Sequence, residues 1–177
     1  MMATIQTLMP YGILASHVAF VILLLALIFR KSWGEGLSAW VGKHAILLGF
    51  LFALASFSGS LFYSELVGYA PCVLCWWQRV FLYPQVILFG VALWYKKRDV
   101  FLYSVPLVSI STIISLYHQY VYMGGPSILP CTALGGACSK IYVLEFGYIT
   151  IPMMSLTAAL FLLLLAWSHR IYENRHA

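Results

Sequence analysis

The chain has 177 residues, 63% of them hydrophobic and only 8% charged, whereas a soluble domain carries roughly 25% charged residues. That excludes a soluble monomer, and the length suits one domain and not two. The net charge of +5 does not point to nucleic acid, because the ten basic residues are scattered between long apolar runs with no polybasic stripe, a placement that a membrane explains.

About 20 apolar residues in a helix cross a hydrocarbon core of about 30 Å. Five stretches reach that length, at about 11–30, 44–63, 76–95, 100–122 and 148–168. Backbone polar groups cannot stay unpaired in lipid, and the runs lack the alternation of barrel strands, so all five are predicted to be helices. The expected fold is an all-α integral membrane protein of five transmembrane helices in a single domain. The first stretch holds His17, expected to glue helices together. Residues 1–29 contain no Lys or Arg, and the first basic residues, Arg30 and Lys31, follow the apolar run. That is the charge order of a retained helix with its N-terminus outside, not of a signal peptide. Pro84 is expected to kink the third helix and Pro152 the start of the fifth. His44, His169 and His176 fall toward the inner side and are expected to be solvated. Aromatic residues at the span ends read as interfacial anchors, Tyr63, Tyr69, Trp76, Trp77 and Tyr122 at the outer boundary and Trp94, Tyr95, Trp167 and Tyr172 at the inner.

Orientation follows from the basic residues. Arg30, Lys31, Lys43, Lys96, Lys97, Arg98, Arg170 and Arg175 fall on one side of a five-span chain, leaving Arg79 and Lys140 on the other. The N-terminus is therefore expected outside and the C-terminus inside. Segments 64–75 and 123–147 face outward, and all four cysteines lie in or beside them.

The first cysteine pair is Cys72-Val73-Leu74-Cys75, at the expected start of the third helix. Spare N–H groups and partial positive charge at a helix N-terminus favour thiolate over thiol. Arg79 follows Cys75 by four residues and shares its helix face, so it is suited to stabilise Cys75 as a leaving thiolate. The second pair, Cys131 and Cys138, lies in an outer segment with Gly124, Gly125, Pro126, Pro130, Gly135 and Gly136, which predict an irregular loop. A pair outside the cytoplasm is expected to oxidise. Alone it leaves a loop staple and an exposed, attackable disulfide both open; beside a membrane-edge CxxC it reads as the outer half of a relay.

Two electrons from a dithiol match the two-electron reduction of a quinone, a lipid-soluble carrier. The protein's part is to hold such a carrier near Cys75 and Arg79. His118, at the outer end of the fourth stretch, is suited to hydrogen-bond a quinone oxygen or assist proton uptake.

These residues together resemble the DsbB family of disulfide-forming membrane oxidoreductases, including its shorter BdbC-like members. The resemblance covers about residues 44–168. Because the CxxC precedes the loop pair, the order differs from that of the related vitamin K epoxide reductases. The resemblance implies a four-helix bundle of helices 2–5 with a quinone, ubiquinone or menaquinone, at its outer end. It implies a bacterial inner membrane and a DsbA-like thioredoxin-fold dithiol oxidase as partner. Electrons would pass from that partner to Cys131 and Cys138, then to Cys72 and Cys75, then to the quinone, with Arg79 and His118 at the quinone site. Two features depart from the family pattern: an extra first helix, expected to pack peripherally, and loop cysteines only seven positions apart. Three other readings compete with this one. The first is an enzyme that runs electrons the other way, from the membrane to reduce external disulfides; the second is a structural membrane protein with disulfide-stapled outer loops, and the third a metal-binding protein using the four thiolates.

Overall fold

The computed structural model describes residues 2–31, 34–128 and 138–176, with the backbone alone over 2–6. Cys131 lies outside the described residues. Five α-helices make up the described chain: α1 Met2–Ile28, α2 Glu35–Leu61, α3 Val73–Trp94, α4 Val100–Tyr122 and α5 Ile151–His176. Four of them, α1, α2, α4 and α5, are long and apolar enough to cross a membrane. The 22-residue α3 falls short in hydropathy because it carries Gln78, Arg79 and Gln85, yet all three are buried inside the protein. The polar residues that lower its mean hydropathy thus face the bundle and not lipid, as polar groups in membrane helices do.

Helices α2–α5 form a ring in which α2 and α4 each pack against both α3 and α5. This is the expected four-helix bundle. Its core includes Phe89, Val108, Ala159, Leu162 and Leu165. Lipid gives no hydrophobic drive for helices to associate, so small residues and interhelical hydrogen bonds carry more of the packing. Gly42 is one such position: a Cβ there would stand 2.6 Å from the Tyr172 Cβ and 2.7 Å from the Ser168 carbonyl, so only glycine lets α2 approach α5 this closely. Between α3 and α4, the Ser104 hydroxyl donates to Gln85 Oε1 at 2.7 Å. Large apolar side chains such as Ile87, Leu102 and Ile113 point outward and are two-thirds exposed or more, a surface that water would not tolerate and lipid does.

Helix α1 packs outside this ring, against α2 and α5. His17 is the glue expected of it: Nε2 lies 2.8 Å from Thr157 Oγ1 and Nδ1 3.1 Å from the Tyr148 hydroxyl. Pro84 does not break α3, which runs through it unbroken, while Pro152 sits in the first turn of α5. His169 corrects an expectation. It is buried, not solvated, with Nδ1 3.3 Å from the Gly42 carbonyl and Nε2 3.2 Å from the Arg98 carbonyl. The bundle end that holds it also holds the ion pairs Arg98–Glu173 and Arg175–Glu35, each at 3.1 Å. The described cysteines are at the opposite end.

Candidate active site

At the cysteine end, α2 runs into a π-helical turn, Phe62–Leu66, closed by the Val67 N–H donating to the Phe62 carbonyl. Gly68, with φ +82°, then reverses the chain, a conformation that glycine adopts without strain. Pro71 leads into Cys72, which caps α3. Its extended backbone (φ −77°, ψ 173°) lets the sulfur accept the Cys75 N–H at 3.4 Å. A cysteine thus fills the place where Ser or Asp usually receives the spare N–H groups of a helix.

Cys72 and Cys75 are free thiols with their sulfurs 3.2 Å apart, beyond the roughly 2.05 Å of a disulfide. The site is in its dithiol form. Cys72 is buried. Its sulfur receives a hydrogen bond from the Cys75 thiol and lies 3.5 Å from His118 Nε2. The Cys75 bond first, and the His118 ring after it, hold the Cys72 thiol well below its ordinary range against the opposing effect of burial. On its far side His118 Nδ1 lies 3.2 Å from Gln78 Nε2. Gln78 is a site residue that sequence reasoning missed; its one signal is that an amide inside an apolar span needs a partner.

Arg79 is buried, and among the described residues it forms no ion pair. Its Nε donates to Ser60 Oγ at 3.1 Å and its Nη2 to the Ser60 carbonyl at 3.2 Å. The Tyr83 hydroxyl donates to the same Ser60 Oγ at 3.1 Å. The guanidinium lies over the rings of Trp76 and Tyr83, at 5.1 and 5.8 Å from their centroids, contacts that stabilise a cation without neutralising it. Ser60 was not foreseeable, because a serine in a membrane helix reads first as packing.

Cys138 is held in a disulfide and is buried, packed with Cys72, Leu74 and Val121. The segment after it is pinned over the site. The Tyr122 hydroxyl donates to the Val143 carbonyl at 3.0 Å and accepts the N–H groups of Tyr142 and Val143, while Tyr142 stacks on Tyr69 and Tyr69 on Tyr63. Tyr63 and Tyr122, expected at the headgroups, are therefore buried inside the protein.

Cys72, Cys75, Gln78, Arg79, His118 and Cys138 all line one cavity of about 400 Å³, within the range of about 300–1,000 Å³ typical of ligand pockets. A bundle of apolar-faced helices with a helix-capping dithiol on a half-open cavity defines a membrane-embedded thiol–disulfide oxidoreductase. Residues 42–169 match the family described as disulfide bond formation protein DsbB, and the chain belongs to that family. It is 36% identical over 119 residues to a probable disulfide formation protein C of Bacillus cereus, covering 64% of this chain and 83% of that protein. Over 139 residues it is 37% identical to the SPbeta prophage-derived disulfide bond formation protein B of Bacillus subtilis, covering 76% and 94%. A probable disulfide formation protein of Metapseudomonas resinovorans is 36% identical over 124 residues, covering 69% and 86%. No solved structure matches the chain. The protein is thus a multi-pass membrane oxidoreductase that generates disulfides.

Proposed function

We propose that the protein oxidises an extracytoplasmic dithiol protein of thioredoxin fold and passes the electrons to a membrane quinone. The observation that carries this reading is the single cavity shared by Cys75, Arg79 and Cys138. Its walls suit a quinone: they are largely apolar, and Arg79 offers a buried cation with no carboxylate partner among the described residues. Arg79 and Cys75 would hold the ring, and a bound quinone would take up two electrons and two protons.

A thiolate of the external dithiol attacks the Cys131–Cys138 disulfide at Cys131 and releases Cys138 as thiolate; the second external thiol closes the partner's disulfide and frees Cys131. Cys138 attacks Cys72 of a Cys72–Cys75 disulfide and Cys75 leaves as thiolate beside Arg79; Cys131 then displaces Cys72 from Cys138. That produces the dithiol form described above. Closing it again joins the two sulfurs, 3.2 Å apart, and releases two electrons to the acceptor. The Cys72 thiolate is the nucleophile of that closure, with His118 as its hydrogen-bond donor. The positive-inside distribution supports an N-terminus outside the cytoplasm and the cysteine end facing outward, in a bacterial inner membrane.

The test is reduction of a soluble quinone analogue by a reduced thioredoxin-fold dithiol, wild type beside Cys75→Ser. Turnover by the wild type alone is expected. No turnover by folded wild type with intact cysteines rejects the reading. One observation favours a second reading: donor atoms of Cys72, Cys75 and His118 lie within 4.8 Å of one another, as metal ligands would. A four-thiolate site is disfavoured because Cys138 is already bonded in a disulfide. Stoichiometric metal in protein purified under reducing conditions, with no quinone turnover, would bring that reading forward.

A further inference from the structure

We propose that α1 is a wall of the acceptor chamber and carries the hydrocarbon tail of the lipid-soluble acceptor, so that five helices and not four form this protein's binding site. The inference rests on the quinone reading above and adds a residue-level account of what holds the tail.

The family match begins at residue 42, after α1 has ended at Ile28. The first helix is thus an addition to the matched bundle. It nonetheless contributes Met9, Gly12, Ile13 and Ser16 to the same cavity that holds Cys75 and Arg79. The polar groups of that cavity that suit a ring, Arg79 and Cys75, stand on α3, whereas α1 offers a mainly apolar surface. A ligand with a polar ring and an apolar tail matches this division.

Gly12 leaves room on that wall. A Cβ built there meets nothing within 4 Å although the residue lines the cavity. Glycine weakens a helix interior relative to alanine, and here it widens the chamber where α1 faces it. The helix is also held in place. His17 bonds Thr157 and Tyr148, and Tyr11 meets Phe146 edge-on at 5.3 Å between ring centroids. These contacts fix α1 against α5 and against the turn before it, which keeps the α1 wall in register with the cysteine end.

The experiment is photolabelling of the wild-type protein with a long-tailed quinone bearing its photoreactive group on the tail. No Lys or Arg precedes Arg30, so trypsin releases residues 1–30 as one peptide. Label in that peptide, displaced by unlabelled quinone, is expected. Displaceable label confined to α2–α5 overturns the α1 wall while leaving the quinone reading intact. No displaceable label anywhere overturns both. A second measurement is equilibrium binding to Gly12→Phe. Its Kd for a long-tailed quinone should rise about tenfold, the loss expected from roughly two methylene contacts, and its Kd for a tailless analogue by less than about twofold. Val18→Phe, on the lipid-facing side of α1, should change neither. Equal weakening of both ligands by Gly12→Phe, or no change in either, overturns the proposal. If Gly12→Phe does not fold, the wild-type label decides.

Discussion

His118 Nε2 stands 3.5 Å from the Cys72 sulfur, joining the fourth helix to the cap of the third. The Gln78 amide nitrogen, a donor, lies 3.2 Å from Nδ1, which leaves Nε2 as the ring nitrogen that can carry an N–H toward the sulfur. The histidine then donates to a Cys72 thiolate. In reduced protein, alkylation of Cys72 should stay near its plateau down to about pH 6, whereas an ordinary thiol with a pKa of about 8.5 slows about tenfold per pH unit below that value. The sign follows from the lowered Cys72 pKa: the thiolate persists as pH falls. His118→Ala should move the midpoint upward, and Gln78→Leu should do so by less. Peptide-resolved alkylation rates check this, and a midpoint that neither variant moves rejects the arrangement.

Arg79 is held by both Oγ and the carbonyl of Ser60. Removing the cation should therefore do more harm than removing the hydroxyl. Arg79→Ala should lower kcat/KM for a quinone analogue by about a hundredfold or more, roughly 2.7 kcal/mol, while Arg79→Lys keeps part of the activity. Ser60→Ala should cost less, because the carbonyl still accepts Nη2. Half-reaction kinetics would locate the Arg79→Ala defect in the step that reduces the quinone. A side chain that only snorkels to headgroups would leave that step unchanged.

The bundle was legible in the sequence because lipid restricts the choices: five apolar runs admit little but helices. The CxxC with Arg79 was legible because spacing alone sets a shared helix face. Burial direction was not. Tyr63 and Tyr122 stand at a span boundary, where an aromatic reads the same whether its ring turns toward lipid or toward the cavity. The partners of His169 are carbonyls of Gly42 and Arg98, brought to it by the packing of α2 and by the α3–α4 turn, and no side-chain pattern announces them. Gln78 and Ser60 gained meaning only once α4 and α2 stood beside α3. The expectation for Cys131 falls outside the described residues.

His169 offers a control for stability without chemistry, since it lies at the end opposite the cysteines. Its two ring nitrogens lie 3.3 and 3.2 Å from the carbonyls of Gly42 and Arg98. Losing the ring removes the hydrogen bond it donates there, worth about 0.5–1.5 kcal/mol, and leaves a gap in the packing of α5 against α2. His169→Ala should lower the thermal midpoint in detergent while leaving turnover per folded molecule at the wild-type value. A fall in turnover with unchanged stability would contradict this division between the two ends.

The Tyr122 hydroxyl ties down the segment that follows Cys138, accepting two backbone N–H groups and donating to one carbonyl. Tyr122→Phe keeps the ring and removes all three bonds. Unsatisfied backbone groups cost about 1–3 kcal/mol each when they cannot reach water, so the segment should detach from α4 instead of staying unpaired. Cys138, at the start of that segment and in one buried cluster with Cys72, would then spend less time near the CxxC. The expected result is that transfer from an external dithiol slows by about tenfold, the equivalent of about 1.4 kcal/mol. Re-oxidation of pre-reduced protein by quinone should slow less. Stopped-flow measurement of the two half-reactions separates them. Equal slowing of both would mean that Tyr122 acts on the cavity itself, and no slowing of the first would remove the clamp from the relay.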